Sequence, residues 1–307
     1  MVAARIFTRV PEDSNLARGI GKALTAFMDP LSAINGLIND DVLRLVPIGG
    51  GCVNQTFSAH TARGRMYFAK FHPTPPSGMF EVESKSLQIL ANANALATPK
   101  PVAANRHCLL MEFIVAGSPS PNFWRIFGHR LAGLHKIHSG DFGLDFDTWC
   151  GTTPQINSPT NDGHAFFAEH RLLMQARLAN HNGLFSTSEV DMVERLCAKL
   201  RDLIPVQPAS LLHGDLWSGN FLIGTNGEPV IFDPATYYGW REAELAMTSL
   251  FGGYPTEFYN AYNEHYPMEQ GWEERFSLYN LYPILNHLNL FGGGYYHQAQ
   301  ALLAKYV

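Results

Sequence analysis

The strongest constraint on this chain is a pair of short apolar runs, Phe221-Leu222-Ile223 and Val230-Ile231-Phe232, joined around Asn226-Gly227. Asn-Gly between β-type runs is the leading short-range hairpin signal, because the favoured tight turn needs positive φ at both central positions. A hairpin here decides what its open end carries. Asn220 stands just before the first run and Asp233 just after the second, so the ribbon brings together an amide and a carboxylate that are distant in sequence. Upstream, Leu211-Leu212 lead into His213-Gly214-Asp215, which completes a His-x-Asp-x-x-x-x-Asn spacing with Asn220.

This pattern answers the needs of phosphoryl transfer from ATP. One carboxylate must orient the attacking hydroxyl, and an amide oxygen with a second carboxylate must hold the Mg²⁺ that neutralises the phosphate oxygens. Asp215 suits the first role, Asn220 and Asp233 the second. His-x-Asp alone carries little information; the spaced Asn, the hairpin and the terminal Asp together carry the reading.

At 307 residues the chain is long enough for two lobes, and 46% hydrophobic with 16% charged residues describes a globular protein that can bury a full core. A formal net charge of -5 gives no basic footprint for nucleic acid or an anionic membrane. No stretch approaches the roughly 20 apolar residues a membrane helix needs. Cys52, Cys108, Cys150 and Cys197 are scattered without a Cys-x-x-Cys pair, which argues against zinc and disulfides and for the cytoplasm. Arg5, Arg9 and Arg18 hint at a transit peptide, but Pro11, Glu12 and Asp13 interrupt the pattern, so the expectation is a surface segment.

Before the catalytic stretch the chain reads as a nucleotide-binding lobe. Leu16, Ile20, Leu24, Phe27 and Met28 recur at helical spacing between residues 14 and 39. Strand-like Arg44–Ile48 and Cys52–Ala59 flank Gly49-Gly50-Gly51, an arrangement in which backbone N–H groups from Gly49 through Cys52 to Val53 can approach phosphates. The next strand, Met66–Phe71, carries Lys70 where kinases keep the lysine that reaches the α- and β-phosphates. The helix over 80–90 offers Glu81 and Glu83 as its partner, with Glu83 preferred. Cys108–Val115 reads as a buried strand ending in a hinge, where the backbone of Met111, Glu112, Phe113 and Ile114 would meet the adenine edge. Phosphate-attracting groups around Cys52 would also favour its thiolate, so oxidation there could block ATP; a small buried side chain is the plainer reading.

The remainder reads as mainly helical, over 122–138, 164–179 and 187–203, with Ser186 and Glu189 as a capping box for the third. His129, His135 and His138 lie on the first of these without a carboxylate at ligand spacing, so packing or polar-face roles are expected. A helix starts soon after Asp233, leaving no room for a long activation segment, and Gly214 replaces the Arg that would pair with a phosphorylated one. Trp217, Tyr238 and Trp240 are candidate flat surfaces for a sugar. The expected fold class is α+β, a two-lobed protein-kinase-like fold with an antiparallel sheet lobe over 1–115 and a larger helical lobe over 116–307.

His213-Gly214-Asp215-Leu216-Trp217-Ser218-Gly219-Asn220, Asp233-Pro234-Ala235, Tyr238-Gly239, Arg241-Glu242, Glu244-Leu245-Ala246-Met247 and the late His287-Leu288-Asn289-Leu290-Phe291-Gly292-Gly293-Gly294-Tyr295 resemble the fructosamine kinase (ketosamine 3-kinase) family. The resemblance runs from about Leu45 to the C-terminus and includes Met79-Phe80-Glu81-x-Glu83. It implies ATP- and Mg²⁺-dependent phosphorylation of the 3-hydroxyl of a fructosamine or ribulosamine, free or protein-bound, and adds His287 to the substrate candidates. Phosphate at that position is set for elimination once the adjacent carbonyl enolises, which releases the amine. Two departures stand out: Glu244 where the family usually has Asp, and Cys52 in the glycine loop. Alternatives are an aminoglycoside, choline or homoserine kinase of the same fold, with Glu264, Glu269, Glu273 and Glu274 available for a polycation, or a nucleotide-binding pseudokinase scaffold. Both a monomer and a homodimer fit the sequence.

Overall fold

Residues 29–49 and 53–307 are described by the structure, a computed structural model. Gly50, Gly51 and Cys52, the N-terminal arginines, and Leu16, Ile20, Leu24, Phe27 and Met28 of the expected first helix lie outside them. The first described helix, α1 (Pro30–Asn35), has Pro30 at its start and Asp29 as cap, whose carboxylate accepts the Ser32 N–H at 3.0 Å.

Five strands follow: β1 (Val42–Ile48), β2 (Gln55–Thr61), β3 (Met66–Phe71), β4 (Pro101–Asn105) and β5 (Cys108–Glu112), ordered β1-β2-β3-β5-β4 and antiparallel at every pairing. The two faces take different partners because side chains alternate along a strand. Ala69, Phe71, Cys108 and Leu110 pack under α1 with Ala33 and Ile34, whereas Phe68, Leu109 and Met111 pack against Phe80 and Leu87 of α2 (Met79–Asn92). Lys70 shares parity with Phe68, so it points toward α2. The far end of α2 belongs elsewhere: Leu90 and, just beyond it, Leu96 enter a core built by Phe127, Leu131, Leu211 and Ile231.

After β5 an extended run leads to α3 (Phe123–His135), shorter than the sequence suggests, with His138 in the small strand β6 (His138–Ser139). A hairpin of β7 (Thr148–Cys150) and β8 (Thr153–Gln155) precedes α4 (Gly163–Phe167), a π-helical stretch (Ala168–Leu173) and α5 (Met174–His181). The wider π turn carries Arg171, fully buried, with its guanidinium 4.0 Å from the Tyr237 ring centroid and donating to Ile156 O and Asn157 Oδ1 at 2.8 Å each. The capping box is formed at α6 (Thr187–Leu203): Glu189 N–H donates to Ser186 Oγ at 3.3 Å and Ser186 N–H to Glu189 Oε2 at 2.7 Å.

Next come β9 (Ala209–Leu212), the hairpin β10 (Phe221–Ile223) and β11 (Pro229–Ile231), and β12 (Tyr237–Gly239), which returns to pair with β9. Five helices close the chain: α7 (Arg241–Thr248), α8 (Thr256–His265), α9 (Trp272–Tyr279), α10 (Leu281–Phe291) and α11 (Tyr295–Leu303). Among the described residues no helix is long and apolar enough to cross a membrane.

Candidate active site

β9 is buried along its whole length and leads through His213 and Gly214 to Asp215, which lines a cleft of about 350 Å³ together with Lys70 of the sheet and His287 of the helical region. Three restraints shape the loop. His213 Nε2 donates to Phe232 O at 2.9 Å and its Nδ1 accepts the Asp215 N–H at 3.3 Å, which fixes the neutral tautomer; burial also lowers the imidazole's proton affinity. Gly214 has φ +86, and a Cβ there would lie 1.9 Å from Ala235 O, so no arginine can occupy this position. Glu244, buried in α7, accepts the N–H of His213 at 3.1 Å and of Gly214 at 2.6 Å. Its other contact is His135 Nε2 at 2.8 Å, and His135 Nδ1 meets the Tyr262 hydroxyl at 2.8 Å. Burial alone would raise the Glu244 carboxyl, but the hydrogen bond and charge of His135 hold it below its usual value. The longer acid thus braces the loop through its backbone.

Asn220 Nδ2 donates to Asp215 O at 2.7 Å and to its carboxylate at 3.0 Å, which turns Asn220 Oδ1 the other way. The β10–β11 register pairs Phe221 with Ile231, and Phe232 N–H donates to Asn220 O at 3.0 Å, so Asp233 emerges beside Asn220. Asp233 adopts φ +62, a left-handed conformation uncommon outside glycine and better tolerated by Asp and Asn than by most residues. Asp215 is partly exposed to the cleft; the dense surroundings desolvate its carboxyl and raise it to about 7, while the Asn220 amide and Lys70 pull it back.

Lys70 reaches across from β3. Its ammonium contacts both Glu83 carboxylate oxygens, at 2.8 and 2.9 Å, and bonds Asp233 as well. Glu83 is buried on α2, whereas Glu81 makes no such contact. Thr56 Oγ1 donates to Ile48 O at 2.6 Å and ties the base of the β1–β2 turn, with Gly49 and Val53 on either side of the residues not described. At the end of β5, Met111 is buried toward α2 and Glu112 N–H donates to Lys100 O at 2.8 Å, which leaves Phe113 and Ile114 as the first residues past the sheet.

The same cleft is lined by Trp217, His287, Trp149, Cys150, Phe251, Phe291 and Tyr295. Trp217 and His287 are sequence candidates. Tyr238 and Trp240 are not brought to the cleft, and both are withdrawn as substrate residues. Trp240 is 4% exposed and packs against Phe142, His164, Phe167 and Tyr279; Tyr238 pairs with Leu211 in the β12–β9 ladder. β12 runs away from Asp233, so closeness in sequence does not become closeness in space. Trp149 and Cys150 escape sequence reasoning because three-residue strands carry no readable period. Phe251 had one local signal, the two glycines after it. Glu264 pairs with Arg125 at 2.8 Å, and Glu264, Glu269, Glu273 and Glu274 all lie off this cleft.

A sheet with a lysine held by a helix glutamate, facing a loop with Asp215, Asn220 and Asp233, defines a kinase-like phosphotransferase, and the backbone agrees. It superposes with a TM-score of 0.57 on an ADP-bound aminoglycoside phosphotransferase at 14% identity, over 88% of this chain and 94% of that one, a likeness of fold. The sequence model of the fructosamine kinase family matches residues 38–307, and the chain belongs to that family. A probable ketoamine kinase of Synechocystis sp. is 42% identical over 263 residues, 84% of this chain and 88% of that protein. A Thermobifida fusca protein solved as a candidate fructosamine-3-kinase superposes with a TM-score of 0.79 at 32% identity, covering 89% of this chain and 98% of that one.

Proposed function

We propose that the protein uses ATP to phosphorylate the 3-hydroxyl of ketosamines, fructosamine or ribulosamine on lysine or another amine. The observation that carries this is one cleft lined both by Asp215, Asn220, Asp233 and the Lys70–Glu83 pair and by a set of aromatic side chains. Apart from Glu83, Asp215 and Asp233, no acidic side chain among the described residues lines it. A polycationic aminoglycoside would lack the carboxylates that recognise it, so the ketosamine reading is preferred to that alternative.

In the proposed reaction Asp215 accepts the proton of the substrate hydroxyl as its oxygen forms a bond to the γ-phosphorus. The bond to the β–γ bridging oxygen breaks and ADP leaves. Lys70, positioned by Glu83, contacts the α- and β-phosphates, the residues from Gly49 to Val53 cover them, and Phe113 and Ile114 offer backbone to adenine. Asn220 Oδ1 and the Asp233 carboxylate, which is 38% exposed, are hard oxygen donors side by side and fit a magnesium ion. Asn220 and Asp233 would hold the ion where it would draw charge from the phosphate oxygens. The proposal divides the nucleotide-binding and substrate lobes between residues 115 and 116 and locates the enzyme in the cytoplasm, where the unpaired Cys108, Cys150 and Cys197 would stay reduced.

The test is ADP release with Mg-ATP and, separately, ribulosyl-lysine, fructosyl-lysine, kanamycin and choline, each beside Asp215→Asn. Turnover of a ketosamine, lost in the variant, supports the proposal and ranks the two sugars. Turnover of kanamycin or choline alone would overturn the substrate, and silence on all four would favour a scaffold.

A further inference from the structure

The aromatic wall is built at a cost in backbone geometry. Phe251, in the turn after α7, has φ +52, a left-handed conformation that side chains rarely adopt, and Gly252 and Gly253 continue the turn at φ +106 and +66. The ring is not there to fill a core, because Phe251 remains 39% exposed. It sits edge-on to Trp217, with centroids 5.6 Å apart, and tilted over His287 at 4.9 Å. Tyr295 lies 5.1 Å from the same imidazole. The Phe251 carbonyl accepts the Ser218 hydroxyl at 3.2 Å, which ties the turn to the loop that carries Asp215.

The chemistry of this collar is specific. His287 Nδ1 donates to Pro283 O at 2.8 Å, which leaves Nε2 as an acceptor, and burial favours the neutral ring. The four side chains offer π-faces, the His287 Nε2 lone pair and the Tyr295 hydroxyl, with no carboxylate or ammonium among them. A ketosamine with its 3-hydroxyl at Asp215 has its nitrogen three bonds from the reacting carbon, and that nitrogen is a secondary amine, protonated at neutral pH. A single ammonium with an aliphatic arm is what π-faces and a neutral acceptor attract; several ammonium groups would need carboxylates.

We propose that Phe251, with Trp217, His287 and Tyr295, forms an aromatic collar that takes the protonated amine and first methylenes of the ketosamine, which makes Phe251 a specificity-determining residue. This rests on the ketosamine reading above. The strained turn holds the ring in place before substrate arrives.

The experiment compares a ketosamine of Nα-acetyl-lysine with the matching 1-O-alkyl ketose, in which an uncharged ether oxygen replaces the amine. Phe251→Leu keeps apolar bulk without a π-face: KM for the amine substrate rises about tenfold, kcat stays within about twofold, and KM for the ether is unchanged. Phe251→Gly relaxes the turn, so its Tm equals or exceeds that of the wild type while KM for the amine rises at least as far. Unchanged KM in Phe251→Leu, or an equal rise for amine and ether, overturns the inference. If the wild type turns over no ketosamine, the reading beneath it fails first; turnover indifferent to Phe251 removes the inference alone.

Discussion

Asp215 is asked to be a base inside a dense wall, and the consequences of that conflict are measurable. Desolvation raises its carboxyl from 3.8 to about 7, so the active carboxylate is lost as pH falls through neutrality. The expected result is an acid limb near pH 7 in kcat/KM, with the limb of kcat displaced to lower pH, since a bound cation favours the charged form. The same shift has a stability sign. A carboxyl raised in the folded state takes up protons on folding, so the cost of ionising Asp215 grows as pH rises from about 4 to about 7 and is fully present above that. Asp215→Asn should therefore raise Tm at alkaline pH while turnover falls at least a hundredfold and affinity for an ATP analogue is kept, a pattern scanning calorimetry and titration would show. Glu244 behaves in the opposite way. Removing it in Glu244→Ala leaves two backbone N–H groups and His135 without their buried acceptor, a loss of about 3–5 kcal/mol by chemical denaturation. At this scale the sequence was legible where chemistry dictates residue type. Lys70, Asp215, Asn220 and Asp233 can be picked out because their residue types and spacing suit phosphoryl transfer, Glu83 only as the preferred of two acids, and the structure brings all five to one cleft. Trp240 could not be sorted from Trp217 because an aromatic ring serves a core and a sugar equally well.

Elements show where local rules suffice. Ser186 and Glu189 specify the start of α6 from within four residues, and Ser186→Ala should cost about 1 kcal/mol in unfolding free energy without moving KM for either substrate. The β10–β11 hairpin is equally local, but its turn is wider than the tight Asn-Gly turn: only Gly227 takes a positive φ, +74, and its N–H donates to Gly224 O at 2.9 Å. By contrast, β4, β7 and β8 were missed, because such short strands are recruited by neighbours rather than declared by a period. The extended run after β5 also owes its course to tertiary contact. Gly117 N–H donates to Ile223 O at 2.8 Å and Ser120 N–H to Gly227 O at 3.0 Å, and a Cβ on Gly117 would come within 2.3 Å of Gly224 O. Gly117→Val should push the run off the hairpin that positions Asn220 and Asp233. Weaker binding of Mg-ATP than of metal-free ATP, relative to the wild type, is the expected signature in titration calorimetry.

For the molecule as a whole, groups held below their ordinary values weaken the fold on the acid side, His213 and Glu244 among the most buried of them. His213 is held below 6.5, so the unfolded chain binds its proton first and stability declines as pH falls below that value; Glu244, held below 4.5, adds a second decline beneath it. Asp215 partly offsets both, so thermal unfolding of Asp215→Asn against pH should show a steeper acid loss than the wild type. The two-part plan was legible from the order of sheet-like and helical segments, but one assignment was out of reach: α2 serves both parts. Its first turns carry Glu83 under the sheet, while Leu90 and Leu96 are sunk in the helical core and Ile231 N–H donates to Ala97 O at 3.0 Å. Kinases that are switched on and off swing the equivalent helix to make or break its ion pair with the lysine. Here both ends of α2 are packed into cores, so the Lys70–Glu83 pair is expected to persist with and without substrate. If the helix keeps that place, the expected pace of the enzyme follows the supply of its substrate to the cleft rather than a movement of α2.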